Sequence, residues 1–454
     1  MHESIDAIKG VTLGLKRKAY NQISRWKNTK TNQGLLISGA RQVGKTYIVR
    51  EFAKGNYDHF IEINFLSNKT AKEVLSQAVD AKDLFSRISI LADSKMVPGK
   101  TLIFIDEVQE NKEFVTAIKF LVDQFDYDFI LSGSLLGVEL QDIESVPVGY
   151  LDSIEMSPLD FEEFCWAHHI DDNILQTLKS LLVKRKPIPG YLHEKMMKLF
   201  HDYLIVGGMP AAVDRYLQTA NLQDVRAVQQ NIIKRHREDI AKYNSGSALE
   251  IKRIYDLIPS ELSNQSKRFR FNSLDKDARY DRYKNNFLWL ENAGVALPCN
   301  RTSSPTFPLL LNKEANYFKL FSMDVGLLTS MLMRDATFEI MLRDNSINYG
   351  AIYENAVAQA LHAQSRDLYY FSNKKMGELD FVVESSVGCV YPIEVKSGKS
   401  YKRHNALSNV LNTKNYNLPF GYVFCSENVS VSNQVIYLPI YLVNFFDSEM
   451  TLRE

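Results

Sequence analysis

Several signals that would narrow this 454-residue chain are missing. Its 54 basic residues balance 54 acidic ones, so net charge argues for neither a polyanionic nor a polycationic partner. Only local clustering can speak for nucleic acid. Four cysteines, Cys165, Cys299, Cys389 and Cys425, lie far apart without a C-x-x-C pair or metal-ligand spacing. They read as free thiols of a reducing compartment rather than as a disulfide framework or zinc site. His168-His169 and His404 likewise lack partners at ligand spacing. No stretch approaches the ~18 uninterrupted apolar residues of a membrane span, and the acidic start Met1-His2-Glu3-Ser4-Ile5-Asp6 is unlike a signal peptide. Internal repeats and low-complexity linkers are absent too. The expectation is a cytoplasmic protein without membrane contact, about three times the usual domain size, with 45% hydrophobic residues to fill several cores.

The strongest positive signal is Gly39-Ala40-Arg41-Gln42-Val43-Gly44-Lys45-Thr46, a G-x-x-x-x-G-K-[ST] loop. A buried strand, Gly34-Leu35-Leu36-Ile37-Ser38, precedes it, and a helix with Val49 and Phe52 on one side follows. In that context glycines permit unusual backbone angles, successive N–H groups face phosphates, and the helix N-terminus adds a favourable dipole. ATP is the ligand predicted, with Lys45 reaching the β/γ-phosphates and Thr46 a ligand of Mg²⁺. About sixty residues on, Thr101-Leu102-Ile103-Phe104-Ile105-Asp106-Glu107 is an apolar strand ending in two carboxylates, a Walker B pattern. Asp106 is expected to serve the metal through water and Glu107 to polarise the attacking water. A third strand, Asp128-Phe129-Ile130-Leu131-Ser132-Gly133-Ser134, would bring Ser132 or Ser134 beside the γ-phosphate.

Strands and helices alternate to about residue 155, with Tyr57 to Asn64 as a second strand and Lys112 to Phe125 as a helix, which predicts a parallel sheet with helices on both faces. The pattern then becomes helical from Pro158, broken at Gly207-Gly208-Met209-Pro210. From Ala248 to Leu328, helices and a Pro-punctuated strand pair predict a winged-helix-like module. One helical face there is read from Leu249, Ile251, Ile254, Leu257, Ile258 and Leu262. Between Asn264 and Lys284 lie Lys267, Arg268, Arg270, Lys276, Arg279, Arg282 and Lys284, interleaved with Phe269, Phe271, Tyr280 and Tyr283. Such a cluster would track a nucleic-acid backbone, and a solvated helix face with core aromatics has the same composition.

A second chemical constellation lies near the C-terminus. Gly377-Glu378-Leu379-Asp380-Phe381-Val382-Val383 and Val390-Tyr391-Pro392-Ile393-Glu394-Val395-Lys396 read as a hairpin, with Glu394 and Lys396 on one face. This D…E-x-K order is that of restriction-endonuclease-like nucleases. Asp380 and Glu394 are predicted to ligate Mg²⁺, Lys396 to orient or activate water, and Glu354, on a helix from Tyr349 to Leu361, to complete the acid set. A salt-bridged hairpin, or a nuclease fold kept for binding, would carry the same residues.

Taken together, these motifs with Ser157-Pro158-Leu159-Asp160-Phe161-Glu162-Glu163-Phe164 and Gly207-Gly208-Met209-Pro210 resemble a prokaryotic family of AAA+-type ATPases carrying a C-terminal DUF4143 region. The resemblance implies an α/β P-loop ATPase core over residues 1–155 and a helical lid or linker over 156–245. It further implies a winged-helix-like module over 246–335 and a restriction-endonuclease-like α/β domain over 336–454. Many members carry Gly-Arg just before the P-L-x-F-x-E-F segment, whereas this chain has Gly149-Tyr150, so no arginine role transfers there. Arg41, Arg215, Arg235 and Arg237 remain candidates for an arginine finger, which in such a family acts in trans within a homo-oligomeric ring. The function expected is an ATP-hydrolysing switch or motor engaging DNA, with Mg²⁺-dependent cleavage as an option. A non-cleaving scaffold for a protein partner is the alternative.

Overall fold

The computed structural model describes residues 14–29, 33–134, 149–242, 246–333 and 349–446. The first thirteen residues of the expected ATPase core and residues 336–348 and 447–454 of the expected last domain lie outside them. Five strands form the first sheet: β1 (Gly34–Ser38), β2 (His59–Asn64), β3 (Thr101–Asp106), β4 (Asp128–Ser132) and β5 (Leu151–Glu155), in the order β2-β3-β4-β1-β5, with every pairing parallel. Alternate residues of these apolar runs feed opposite cores. Leu35, Ile37, Leu102, Phe104 and Ile130 pack against the helices Lys18–Thr29 and Lys45–Asn56. Leu36, Ile61, Ile63, Ile103, Ile105 and Leu131 pack with Phe114 and Ile118 of the helix Lys112–Gln124. With both faces covered, a parallel sheet needs continuous rather than alternating hydrophobicity, which is why β3 is buried at every position. Because β4 lies between β1 and β3, the loops after all three strands emerge side by side at the C-terminal edge, where sheets of this kind bind ligands.

The helices Phe161–Ala167, Asp172–Val183, Gly190–Val206, Pro210–Thr219 and Leu222–Lys242 follow. Their anchor is Gly207-Gly208, where three segments cross. Leu159 N–H donates to Gly208 O (2.7 Å), and Gly208 N–H donates to the fully buried Asp324 carboxylate (2.6 Å). A Cβ at Gly208 would stand 2.0 Å from Leu159 O, and one at Gly326 would stand 2.5 Å from Gly207 N. Only glycine permits that approach.

The second sheet has eight strands: β6 (Ala296–Thr302), β7 (Lys313–Ser322), β8 (Tyr369–Asn373), β9 (Gly377–Glu384), β10 (Val390–Val395), β11 (Gly421–Cys425), β12 (Ser430–Ser432) and β13 (Val435–Pro439), ordered β12-β13-β11-β10-β9-β8-β6-β7. The strand pair expected as a wing is β6–β7, and it does not stand apart. β6 pairs in parallel with β8, Asn300 opposite Tyr369, so one sheet runs across the boundary expected at residue 335. A free wing would leave the outer N–H and C=O groups of β6 unpaired, and β8 satisfies them. In the helix Ala248–Leu262, Ile251, Ile254, Ile258 and Leu262 are buried as expected, but Leu249 is 80% exposed. The helix Tyr280–Asn292 ends with Gly294 at a φ of 66° just beyond it. Among the described residues no helix is long and apolar enough to cross a membrane.

Candidate functional site

The loop between β1 and the helix Lys45–Asn56 carries positive φ at Gly39 (134°), Gln42 (67°) and Gly44 (99°). This curls its backbone around the Lys45 ammonium, which donates to Gly39 O (2.8 Å), Ala40 O (2.9 Å) and Ser134 Oγ (3.0 Å). Burial pushes Lys45 down to about 8, against the opposing pull of Glu107 and Asp106. At the end of β3, Asp106 is held by four donors. Thr46 Oγ1 (2.9 Å) and Asn64 Nδ2 (2.9 Å) reach Oδ2, while Ser132 Oγ and the Glu107 N–H reach Oδ1. Glu107 sits in the left-handed region at a φ of 55° and accepts from Gln109 Nε2 (2.6 Å). Non-glycine residues in that region tend to persist at functional sites. The two serines left open by the sequence are thereby separated: Ser132 buttresses Asp106, whereas Ser134 touches Lys45 and lines the cleft.

That cleft, about 760 Å³, is lined by Gln42, Lys45, Thr46, Glu107, Ser134 and, from the helix Leu222–Lys242 of the same chain, Arg235. A Thr46 hydroxyl 2.9 Å from a carboxylate oxygen of Asp106 is a donor set suited to Mg²⁺ shared with phosphate oxygens. The other arginine candidates are engaged differently. Arg41 also lines the cleft but pairs with Asp239, Arg237 pairs with Asp256 (2.8 Å), and Arg215 is half-buried on the helix Pro210–Thr219.

Three contributors escaped sequence reasoning. Asn64 ends β2, and only the β2–β3 pairing brings it to Asp106. Arg17, buried just before the helix Lys18–Thr29, donates to Val43 O (2.7 Å), Ser157 O (2.7 Å) and Glu163 Oε1 (3.1 Å). The Asp160/Glu163 capping box thus ties the Ser157–Phe164 motif to the back of the phosphate loop. The third is Lys319.

Lys319, on β7, is fully buried and reaches the C-terminal acids: Glu378 Oε1 at 2.9 Å, Glu354 Oε2 at 3.6 Å and Asp380 Oδ1 at 3.8 Å. Glu394 and Lys396 share a face as expected and pair at 3.0 Å, while Asp380 Oδ2 accepts the Val395 N–H (2.8 Å). Lys267 closes the cluster on Glu354. Burial, and then the Asp380 charge, push Glu394 up to about 8 and Glu354 up to about 7. Burial would raise Asp380 as well, but Lys319 and Lys267 outweigh it and hold that carboxyl low. Among the described residues no three His, Cys, Asp or Glu side chains are gathered to hold a metal ion. The Mg²⁺ expected between Asp380 and Glu394 meets ammonium groups already lodged among its ligands, so the donor set does not fit a resident divalent ion.

The basic cluster of residues 264–284 is also partly spent inside the fold. Besides Lys267, Arg270 pairs with Glu261 (3.0 Å), Arg282 with Glu250 (3.3 Å), and Arg268 lies over the Tyr317 ring. Phe269 and Tyr283 are buried, and Phe269 packs on Phe287 and Phe318. Lys276, Arg279 and Lys284 are exposed.

Family models match three stretches: an AAA domain (AAA_14) at residues 31–165, a domain of unknown function (DUF8612) at 197–337 and another (DUF4143) at 349–443. No curated protein matches the chain. Among solved structures it is similar to the Walker-type ATPase paby2304 of Pyrococcus abyssi, at 14% identity over 70% of this chain and 96% of that one, with a TM-score of 0.41. It is also similar to the Orc1 protein of Aeropyrum pernix in complex with DNA, at 12% identity over 74% and 97%, with a TM-score of 0.31. Cdc6p from Pyrobaculum aerophilum is similar at 10% identity over 74% and 97%, with a TM-score of 0.27. The chain thus carries an AAA domain toward its N-terminus and a DUF4143 domain toward its C-terminus.

Proposed function

We propose that this protein is an ATP-hydrolysing switch whose phosphate loop and helical segment close on one nucleotide. The observation that carries the reading is the convergence of Lys45, Thr46, Glu107, Ser134 and Arg235 on a single cleft. In this reading Lys45 leaves its loop carbonyls for the β/γ-phosphates, and Thr46 and Asp106 hold Mg²⁺, which neutralises phosphate charge when bound. Glu107 orients the attacking water and accepts its proton, and Ser134 contacts the γ-phosphate. Arg235 supplies positive charge from the same chain, so one chain can complete the site.

DNA is the partner we infer for the middle region, through the exposed Lys276, Arg279 and Lys284. The second reading, a non-cleaving scaffold for a protein partner, is favoured by the burial of Phe269 and Tyr283, two of the four interleaved aromatics, which leaves them unable to stack on bases. Mg²⁺-dependent cleavage by Asp380, Glu394 and Lys396 is opposed by the Lys319 and Lys396 ammonium groups beside those two acids. The test is ATP turnover and DNA binding by one preparation. Turnover should vanish in Lys45→Ala and fall roughly 10²–10⁴-fold in Glu107→Gln with ATP binding kept. Salt-sensitive DNA binding that weakens in Lys276→Glu/Arg279→Glu/Lys284→Glu selects the first reading; turnover without DNA affinity selects the second.

A further inference from the structure

Outside the nucleotide cleft, Glu354, Glu378, Asp380 and Glu394 gather with Lys267, Lys319 and Lys396 in one seven-residue cluster of charge. Its parts come from five places. The carboxylates stand on the helix Gly350–Ala363, β9 and β10, Lys319 arrives from β7, and Lys267 from the loop after the helix Ala248–Leu262. Lys319 has no exposed surface and Glu354 has 2%. Burying an ammonium is costly unless carboxylates surround it. Here three do, within 2.9–3.8 Å of one nitrogen. That is the surrounding a cation requires, and the cation is a side chain.

We propose that the C-terminal site works without a metal ion, with Lys319 as its resident cation and Lys267 as a second clasp fastening the helical module to the acidic strands. Three arguments converge. A divalent ion bound by Asp380 would lie beside an ammonium that cannot retreat into solvent, because the Lys319 side chain is enclosed on all sides. Glu394, which would be the second ligand, is already paired with Lys396 at 3.0 Å. β6–β7 also belongs to the same sheet as β9 and β10, so Lys319 is delivered by the fold itself rather than by a passing loop. The consequence is mechanical: the acids that would cut a phosphodiester instead hold the middle segment on the C-terminal sheet. The proposal goes beyond the ATPase reading and stands or falls separately from it.

The test is Mn²⁺ titration of the chelator-treated, nucleotide-free full chain, followed by the electron paramagnetic resonance of the free ion. Weak uptake at the phosphate loop is common to all variants and cancels in comparison. Wild type and Asp380→Asn should titrate alike. Lys319→Met should gain one Asp380-dependent site at least tenfold tighter than the weak uptake shared by those two, and Mn²⁺ should raise its melting temperature. Should Lys319→Met not fold, Lys319→Gln replaces it, and the comparison of wild type with Asp380→Asn still decides. Asp380-dependent Mn²⁺ uptake by the wild type would overturn the proposal. Mn²⁺-driven nicking of plasmid lost in Lys396→Ala would overturn it as well, as would a folded Lys319 variant that gains no site. ATP turnover measured in parallel tells failure of this proposal from failure of the ATPase reading.

Discussion

Arg17 offers a sharp test of how the nucleotide site is held. Its guanidinium joins the phosphate loop (Val43 O), the Ser157 carbonyl and the Glu163 carboxylate, with both side chains of the ion pair 5% exposed. Arg17→Met keeps the apolar stem but leaves Glu163 buried without that counter-charge. Breaking a buried pair from one side costs about 3–5 kcal/mol, and the two orphaned carbonyls fall within that range. At about 1.4 kcal/mol per tenfold, local opening around the helix Lys45–Asn56 should rise by roughly two to three and a half orders of magnitude. Hydrogen exchange resolved by mass spectrometry reads that opening segment by segment, which suits a chain with several domains better than one global unfolding energy. Because Val43 O sits between Gln42 and Gly44, ATP affinity should fall in step. Arg17→Met/Glu163→Gln removes the buried charge along with its partner and should recover part of the loss. A change below tenfold in Arg17→Met, or a double variant worse than the single, would refute the reasoning.

Arg235→Ala should lower ATP turnover by roughly 10²-fold, the scale of one preorganised charge-stabilising group, while specific activity of the wild type stays independent of protein concentration; activity that climbs with concentration would point to a neighbouring chain instead. Gly208→Ala sets a methyl 2.0 Å from Leu159 O and should cost the chain its soluble fold or several degrees of melting temperature, so an unchanged melt would show that the three-way crossing yields easily. Stability should also depend on pH through Glu354 and Glu394. Their folded values, about 7 and about 8, lie above the ordinary 4.5, so the native state holds more protons across that window. Their contribution is full below about pH 4.5 and is lost as pH rises toward 8, by a few kcal/mol at most. Glu394→Gln should flatten the slope measured by denaturant titration, and an unaltered slope would refute the assignment.

Local features of the sequence determined the phosphate loop, the Asp106–Glu107 strand end, the continuous apolar strands of a parallel sheet and the shared face of Glu394 and Lys396. Each is written in residues within about one element of one another, where backbone geometry alone sets relative position. Tertiary structure decided what depends on strand order and long-range approach. Placing β4 between β1 and β3 distinguished Ser132 from Ser134 and brought Asn64 to Asp106. Packing of the helical segment brought Arg235 to the cleft that Arg41 also lines, and paired Arg41 with Asp239. The pairing of β6 with β8 joined the expected wing to the C-terminal sheet and delivered Lys319 to the acids. In the sequence Lys319 reads as one more lysine on a strand and Phe269 as one more aromatic among basic residues. A side chain's meaning as counter-ion or core depends on what surrounds it, and those surroundings come from segments tens to hundreds of residues away in the chain.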